Sequence, residues 1–142
     1  MKVIWTENKP EYHGEIIDFP PMMTWPKPVQ KPHPPIIVGG AFPHAARRAV
    51  RYGNGWIPIA GRASYGNVED QFAPFRQMLK EAGRPESEVP ISLFGAKDDA
   101  DVIKRYQDAG VARVVAGLPS EGADKILPML DRWAAIIRQF NG

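Results

Sequence analysis

The chain of 142 residues contains no cysteine. This absence excludes disulfide bonds, cysteine nucleophiles and thiolate-ligated metals, and it is typical of proteins from a reducing compartment. The chain also lacks an apolar run long enough to span a bilayer, and Met1–Glu7 lack the apolar core of a secretory signal. We therefore expect a soluble, cytoplasmic protein with no membrane partner.

Charge of one sign is not concentrated anywhere in the sequence. The formal net charge is +2, and the 18 basic and 16 acidic residues are scattered along the chain. A nucleic-acid partner requires a clustered basic face, so we predict no nucleic-acid partner. The histidines, His13, His33 and His44, have no metal-ligand spacing, and we predict no metal site.

Proline, by contrast, is abundant, and seven of the 15 prolines fall within residues 20–35. Because proline fixes φ and keeps the preceding residue extended, this segment is predicted to be a stiff arm. Ahead of it we expect the end of a helix over residues 1–9, cut by the chain start, and a small hairpin or extended piece around Gly14. The PxxP spacing at residues 32–35 leaves open a second interpretation, a ligand for an aromatic groove.

After the arm, short apolar runs alternate with helix-like stretches four times. The runs are residues 36–38, 56–59, 91–94 and 113–117. The helices are predicted from start and stop residues: Pro43 to Gly53, Asn67 to Gly83, Asp98 or Asp99 to Gly110, and Ser120 onward. Pro74 is expected to kink the second of these helices or to split off its first turn. This alternation is typical of βαβ units in a parallel sheet.

These patterns predict the fold class and the organisation of the chain. We expect one α/β domain over residues 1–142. Within it, the arm of residues 1–35 precedes four parallel βα units over residues 36–142. Since a TIM barrel contains eight such units, the sequence predicts half of a (β/α)₈ barrel.

The candidate binding residues lie where predicted strands end. In parallel sheets, ligands bind at the carboxyl ends of the strands. Gly39, Gly40 and Ala41 follow the first strand and precede a helix, where glycine lets a phosphate approach the backbone and free N–H groups attract an anion. The same glycines would equally suit a tight turn without a ligand. Arg62 follows the second strand and could pair with a phosphate or carboxylate, or be a solvated loop residue.

No catalytic residue can be selected from the sequence. No serine stands in a nucleophile elbow, and no pair of carboxylates stands out. His44 follows the glycine pair and could touch a ligand, although an exposed polar position explains it equally well. The residues alone therefore predict an anion-binding turn without catalytic machinery.

Several segments together resemble the bacterial luciferase-like monooxygenase family, and most closely its members that use FMN or the deazaflavin coenzyme. The resemblance is carried by residues 12–15 with Phe19, 25–30, 32–36, Gly39-Gly40, 53–58, 82–84 and 109–111. The proline segment and the glycine pair after it are the most specific of these. The resemblance spans nearly the whole chain.

This resemblance implies a (β/α)₈ barrel of which the chain is the C-terminal half. It implies FMN or a deazaflavin as cofactor and a small-molecule substrate if the chain is active, with oxidoreductase or monooxygenase chemistry. Family counterparts of Gly39-Gly40 lie near the cofactor phosphate or ribityl chain, and the turn after residues 56–59 lines the same mouth. Phe42-Pro43 stand where relatives often have a small polar residue, which weakens the helix cap.

Two other interpretations remain open at this stage. The chain could be a non-catalytic half-barrel that forms a homodimer or docks on a separate N-terminal half, because four βα units leave two sheet edges unpaired. It could also be a truncated, inactive gene product. The catalytic side chains that the family carries in its N-terminal strands have no counterpart here, so the sequence leaves open whether the isolated chain is an enzyme.

Overall fold

The structure, a computed structural model, describes residues 1–62, 64 and 66–141. The chain divides into two compact units, Met1–Pro35 and Ile36–Gly142. Each unit has its own secondary structure, and the candidate binding residues all belong to the second unit.

The first unit contains one short helix and a small hairpin. Helix α1 spans Lys2–Thr6, and strands β1 (Tyr12–His13) and β2 (Asp18–Phe19) pair antiparallel. The N–H of Gly14 donates to the carbonyl of Ile17 at 2.9 Å and closes the turn, as the β-prone residues around this glycine predict. Residues 20–35 form no helix or strand.

The second unit alternates strands and helices. Its elements are β3 (Ile37–Gly39), α2 (His44–Tyr52), β4 (Gly55–Ile57), α3 (Phe72–Glu81), β5 (Ser92–Ala96), α4 (Ala100–Asp108), β6 (Arg113–Ala116) and α5 (Ala123–Asn141). Strands β3 and β4 pair in parallel, as do β5 and β6. Parallel bridges between Trp56 and Ile91 and between Ile59 and Phe94 join β4 to β5. The strands therefore follow one another in chain order, and the predicted α/β class is confirmed.

Proline explains where β4 ends. The sequence predicts a strand over residues 56–59, but β4 stops at Ile57 because Pro58 has no N–H to donate to the ladder. The carbonyl of Pro58 still accepts from the N–H of Phe94 at 3.0 Å, which keeps the two strands together.

Two of the predicted helix starts are confirmed. Asn67 accepts from the N–H of Glu69 and begins a 3₁₀ turn, Val68–Gln71, which precedes α3. The segment is thus split into two helical pieces ahead of Pro74, as predicted. Asp99, rather than Asp98, caps α4, and its carboxylate accepts from two N–H groups of the first turn at 2.9 and 3.2 Å.

The predicted start of α5 at Ser120 is wrong. The N–H of Glu121 donates to the carbonyl of Pro119, so Ser120 lies in a separate tight turn. The carbonyl of Gly122 instead accepts the first N–H groups of α5. Trp133 of α5 is buried, whereas the apolar side chains of Leu127, Leu130 and Ile137 are exposed. In the described part of the chain, no helix is both long and apolar enough to cross a membrane.

The core lies between the parallel strands and the helices that cover them. Trp56 is fully buried, and its ring centroid lies 4.7 Å from that of Phe75 on α3. Val38 is buried on β3 and Leu93 on β5, and Ala45, Ala46 and Ala49 form the buried apolar stripe of α2. These small alanines let α2 pack closely on β3 and β4, which sets the position of the turn between β3 and α2.

Candidate binding site at the turn between β3 and α2

The turn between β3 and α2 brings Gly39, Gly40 and Ala41 together at the carboxyl end of β3. Gly40 has φ +119°, a conformation that L side chains rarely adopt. A Cβ at this position would also lie 3.3 Å from the Cβ of Ala45. The indole N–H of Trp56 donates to the Gly40 carbonyl at 3.1 Å. The fold itself therefore requires glycine at position 40.

Gly39 is different, because nothing in the fold requires glycine there. Its φ lies outside the left-handed region, and a Cβ would meet only the Cγ2 of Ile57, at an ordinary distance of 3.8 Å. The residue is exposed at the end of β3. A side chain at position 39 would instead fill the open space beside the turn, where a ligand could approach the backbone.

The hydrogen bonds of the turn correct one sequence expectation. The N–H of Gly40 is not free, since it donates to the carbonyl of Ile57 at 3.4 Å and continues the sheet pairing. The N–H groups of Ala41 and Phe42 make no hydrogen bond to any residue that the structure describes. The donors available to an anion therefore follow the glycine pair.

The charge around this turn is favourable to an anion. Helix α2 begins at His44, and its first turn contains no acidic residue that would compete with an anion for the positive end of the helix. The Nη2 of Arg48 lies 4.0 Å from the position that a Cβ on Gly40 would occupy. Sequence reasoning missed Arg48. The available signal was its place one turn after His44, at the start of the same helix.

Arg62 lies on a separate loop, after β4, and its side chain is exposed. It follows Gly61, which has φ +69°. Because β3 and β4 are paired in parallel, this loop and the glycine turn leave the sheet at the same edge.

A cleft of about 250 Å³ lies beside the loop of Arg62. Its lining includes Gly61, Asn67, Lys97, Arg105 and Tyr106. Tyr106 is buried, and burial raises the pKa of its hydroxyl, with a further increase from the nearby Glu69 carboxylate. The phenol is therefore a neutral hydrogen-bond donor and acceptor at physiological pH. Arg105 is 3.7 Å from Glu69, which places an ion pair at the rim.

The sheet edge thus contains groups that can bind an anion and orient a polar molecule. Nowhere in residues 1–62, 64 and 66–141 do three or more histidine, aspartate or glutamate side chains come together as metal ligands would. The arrangement around the glycine turn supplies N–H donors and a guanidinium, which match the hydrogen-bonding needs of a phosphate.

Comparison with known proteins identifies relatives of this chain. The chain is 31% identical over 140 residues to an uncharacterised protein of Mycobacterium tuberculosis. This alignment covers 95% of this chain and 46% of the relative. It is 35% identical over 66 residues to the FMNH₂-dependent dimethylsulfone monooxygenase of Pseudomonas putida, which covers 46% of this chain and 18% of that protein. The match to these mycobacterial relatives includes most of this chain, and the chain spans about half of their length.

The fold is similar to that of a solved monooxygenase. RslO1 from Streptomyces bottropensis superposes with a TM-score of 0.54 at 23% sequence identity, over 96% of this chain and 41% of that one. The model of the luciferase-like monooxygenase family matches residues 1–124, which include the arm, the glycine turn and the cleft. On this match, the chain belongs to the luciferase-like monooxygenase family.

Proposed function

We propose that this chain forms half of a (β/α)₈ barrel in a flavin- or deazaflavin-dependent oxidoreductase, and that the turn of Gly39, Gly40 and Ala41 binds the cofactor phosphate. Four parallel strands in chain order, each followed by a helix, support the half-barrel. The length of the chain, about half that of its mycobacterial relatives, supports it further.

The observation that carries the phosphate site is the glycine at position 39. Gly40 is explained by its backbone conformation, but Gly39 has neither a left-handed φ nor a crowded Cβ position. Close approach of a ligand to the backbone is a physical reason for glycine at the end of a strand, and the exposed position of Gly39 permits it. The N–H groups of Ala41 and Phe42 and the guanidinium of Arg48 would then hold the phosphate.

The reaction itself would come from the cofactor, because a bound flavin or deazaflavin supplies hydride transfer or oxygen activation. The residues of this chain bind and orient. The glycine turn holds the phosphate end, and Arg62 and the cleft beside it form part of the substrate mouth at the same edge of the sheet. Within this mouth, Tyr106 is a neutral hydrogen-bonding group that can orient a polar substrate. We assign no catalytic residue to the described part of the chain.

Ligand titration tests the proposal. FMN and a deazaflavin are each added to the purified chain, and the quenching of cofactor fluorescence is measured. We expect binding tighter than about 10 μM, which corresponds to about −7 kcal/mol. Riboflavin, which lacks the phosphate, should bind much more weakly than FMN. Equal affinity for FMN and riboflavin would remove the phosphate site from the proposal.

Variants at two glycines sharpen the test. Gly39→Val should abolish FMN binding while far-UV circular dichroism stays near that of the parent, because position 39 is exposed and a Cβ there meets only Ile57, at an ordinary contact distance. Gly117→Val is the matched control, since Gly117 also follows a strand and a Cβ there meets nothing within 4 Å. If Gly39→Val binds FMN as well as the parent does, the turn does not hold the phosphate.

A non-catalytic half-barrel is the second candidate function. The observation that favours it is the exposed apolar surface of α5, where Leu127, Leu130 and Ile137 have no cover in the described chain. A chain that associates through this surface but binds neither cofactor in the titration would belong to this second class.

A further inference from the structure

The two outer strands of the second unit each have one unpaired edge. Among the strands of the described residues, β3 pairs only with β4, and β6 pairs only with β5. Such an edge exposes N–H and C=O groups that readily pair with another strand.

An apolar groove continues the edge of β6. The groove has a volume of about 470 Å³ and is lined by β6, the end of α4 and one face of α5. Leu130 and Ile137 of α5 line it with 42% and 54% of their surface exposed. A soluble monomer rarely leaves contiguous apolar surface of this kind without a partner.

One face of the sheet also contains an exposed aromatic side chain. Phe94 pairs with Ile59 on one side and with Val115 on the other, so the three side chains share one face of the sheet. Phe94 is exposed although it lies on an inner strand. The surface without a partner among the described residues therefore includes both outer strand edges and the exposed ring of Phe94.

Charge on the two end helices is complementary. Helix α2, which follows β3, contains three arginines and His44 and no acidic residue. On α5, Lys125 and Arg132 are paired with Glu121 and Asp98, at 3.1 and 2.6 Å. The exposed Asp124 and Asp131 have no such partner among the described residues, so the N-terminal part of α5 presents unpaired negative charge.

We infer that the groove of β6 and α5 is an interface for a second copy of this chain, whose β3 and α2 occupy it. This inference rests on the half-barrel proposed above, and it identifies a second copy of the chain as the partner that completes the barrel. A two-fold axis parallel to the strands places β3 of each copy beside β6 of the other, in parallel, and closes eight strands into a ring. The same axis brings the basic α2 of one copy against the acidic side of α5 of the other, twice.

The number of strands agrees with this arrangement. The second unit contributes four strands in parallel order. Two copies therefore supply the eight strands of the proposed barrel. Each copy brings one edge of each kind, so a ring of two leaves no edge unpaired.

Sedimentation velocity measures the oligomeric state of the full chain without cofactor. We expect a species of twice the 15.8 kDa chain mass. The variant Leu130→Asp/Ile137→Asp should lose the dimer at concentrations where the parent is dimeric. Val29→Asp is the control, since Val29 is 95% exposed in the first unit and should leave the dimer intact. Circular dichroism verifies that each variant folds.

Cross-linking distinguishes the ring from other dimers. Because the sequence contains no cysteine, each introduced cysteine is the only thiol that can react. Arg51→Cys on α2 and Leu130→Cys on α5 are prepared separately, mixed, and treated with a short bis-maleimide. The ring brings α2 of one copy to α5 of the other, so the mixture should give a covalent dimer and neither variant alone should do so. A covalent dimer from Leu130→Cys alone would mean that two grooves face each other, which overturns the arrangement.

A monomer at all concentrations would overturn the inference. So would a chain that forms a one-to-one complex only when the remaining part of the mycobacterial relative is added, because the groove would then have another occupant. Cofactor titration is a separate measurement. A dimer that binds no cofactor would contradict the proposed phosphate site but support the interface. A monomer that binds FMN would contradict the interface but support the phosphate site.

Discussion

The indole N–H of Trp56 donates to the carbonyl oxygen of Gly40 at 3.1 Å. Trp56 is fully buried on β4, and Gly40 lies in the turn after β3. The bond joins β4 to the loop that follows its neighbour β3, and it adds to the backbone bond from the Gly40 N–H to the Ile57 carbonyl. Together the two bonds fix the turn from both sides, so the candidate phosphate site is held by the core.

Trp56→Phe tests this coupling. The variant leaves the Gly40 carbonyl without its side-chain donor, and we expect a loss of about 1–3 kcal/mol in the free energy of unfolding, measured by urea denaturation. FMN affinity should fall as well, because the turn loses one of its two anchors. Trp25→Phe, at an exposed tryptophan in the first unit, is the control and should change neither quantity. Unchanged stability in Trp56→Phe would show that the turn does not depend on this bond.

Arg48→Ala tests the contribution of charge to the site. The Arg48 guanidinium is close to the Gly40 position, and a hydrogen bond from a charged donor contributes about 1.5–3 kcal/mol. We expect the dissociation constant for FMN to rise about tenfold or more, with little change for riboflavin. Arg51→Ala removes the same charge from the last turn of α2 and is the matched control. An equal loss in both variants would indicate general electrostatic attraction rather than a contact by Arg48.

Arg84 fixes the C-terminal end of α2 from a distant part of the chain. Its Nη1 donates to the carbonyls of Ala49, Val50 and Gly53 at 3.2, 2.9 and 3.1 Å. The Ala49 carbonyl also accepts from the N–H of Gly53, whereas the carbonyls of Val50 and Gly53 lie too close to the end of α2 to be paired within the helix. Arg84→Met should therefore lower the free energy of unfolding by about 1–3 kcal/mol in urea denaturation.

Lys80→Ala is the control for Arg84, since Lys80 is an exposed cation at the end of α3. Its effect should stay within about 0.5 kcal/mol. If Arg84→Met is no more destabilising than this control, the three carbonyls find other partners and the bonds contribute nothing to stability.

The pair of Asp98 and Arg132 predicts a pH dependence of stability. The hydrogen bond from the Arg132 Nε, at 2.6 Å, lowers the pKa of Asp98 below its ordinary value. A carboxyl with a lower pKa in the folded state stabilises the fold above its unfolded pKa, near 4, and this contribution is lost as the pH falls through the folded pKa. The side chains are 54% and 32% exposed for Arg132 and Asp98, so the contribution is only about 0.2–1 kcal/mol.

Asp98→Asn should therefore be less stable than the parent near neutral pH, and the difference should disappear at acid pH below the folded pKa. Urea denaturation at a series of pH values measures it. Arg132→Met removes the same bond from α5 and should give the same pH dependence. A constant difference between parent and Asp98→Asn at every pH would assign the effect to something other than this ion pair.

Local features of the fold could be predicted from local sequence. The caps at Asn67 and Asp99 need only a side chain and the N–H groups two or three residues later. The buried stripe of Ala45, Ala46 and Ala49 follows from helical periodicity. The ends of elements were predicted less accurately. Strand β4 stops before Pro58, two residues earlier than predicted. Helix α5 begins at Ala123 rather than at Ser120, because Pro119 and Glu121 form a turn of their own.

The candidate site was predicted only in part. The residues Gly39, Gly40 and Ala41 could be selected from their place between a strand and a helix. The sequence could not show which of these glycines the fold requires, because that depends on the positions of Ala45, Trp56 and Ile57 around the turn.

By itself, the sequence determined the alternation of strands and helices, the parallel order and the position of the glycine turn, because spacing, capping residues and proline act over a few residues. Only the tertiary structure decided that Gly40 is bonded while Gly39 is open, that Arg48 lies beside the turn, and that one face of α5 is uncovered. Each of these depends on which residues, not adjacent along the chain, meet in the folded protein.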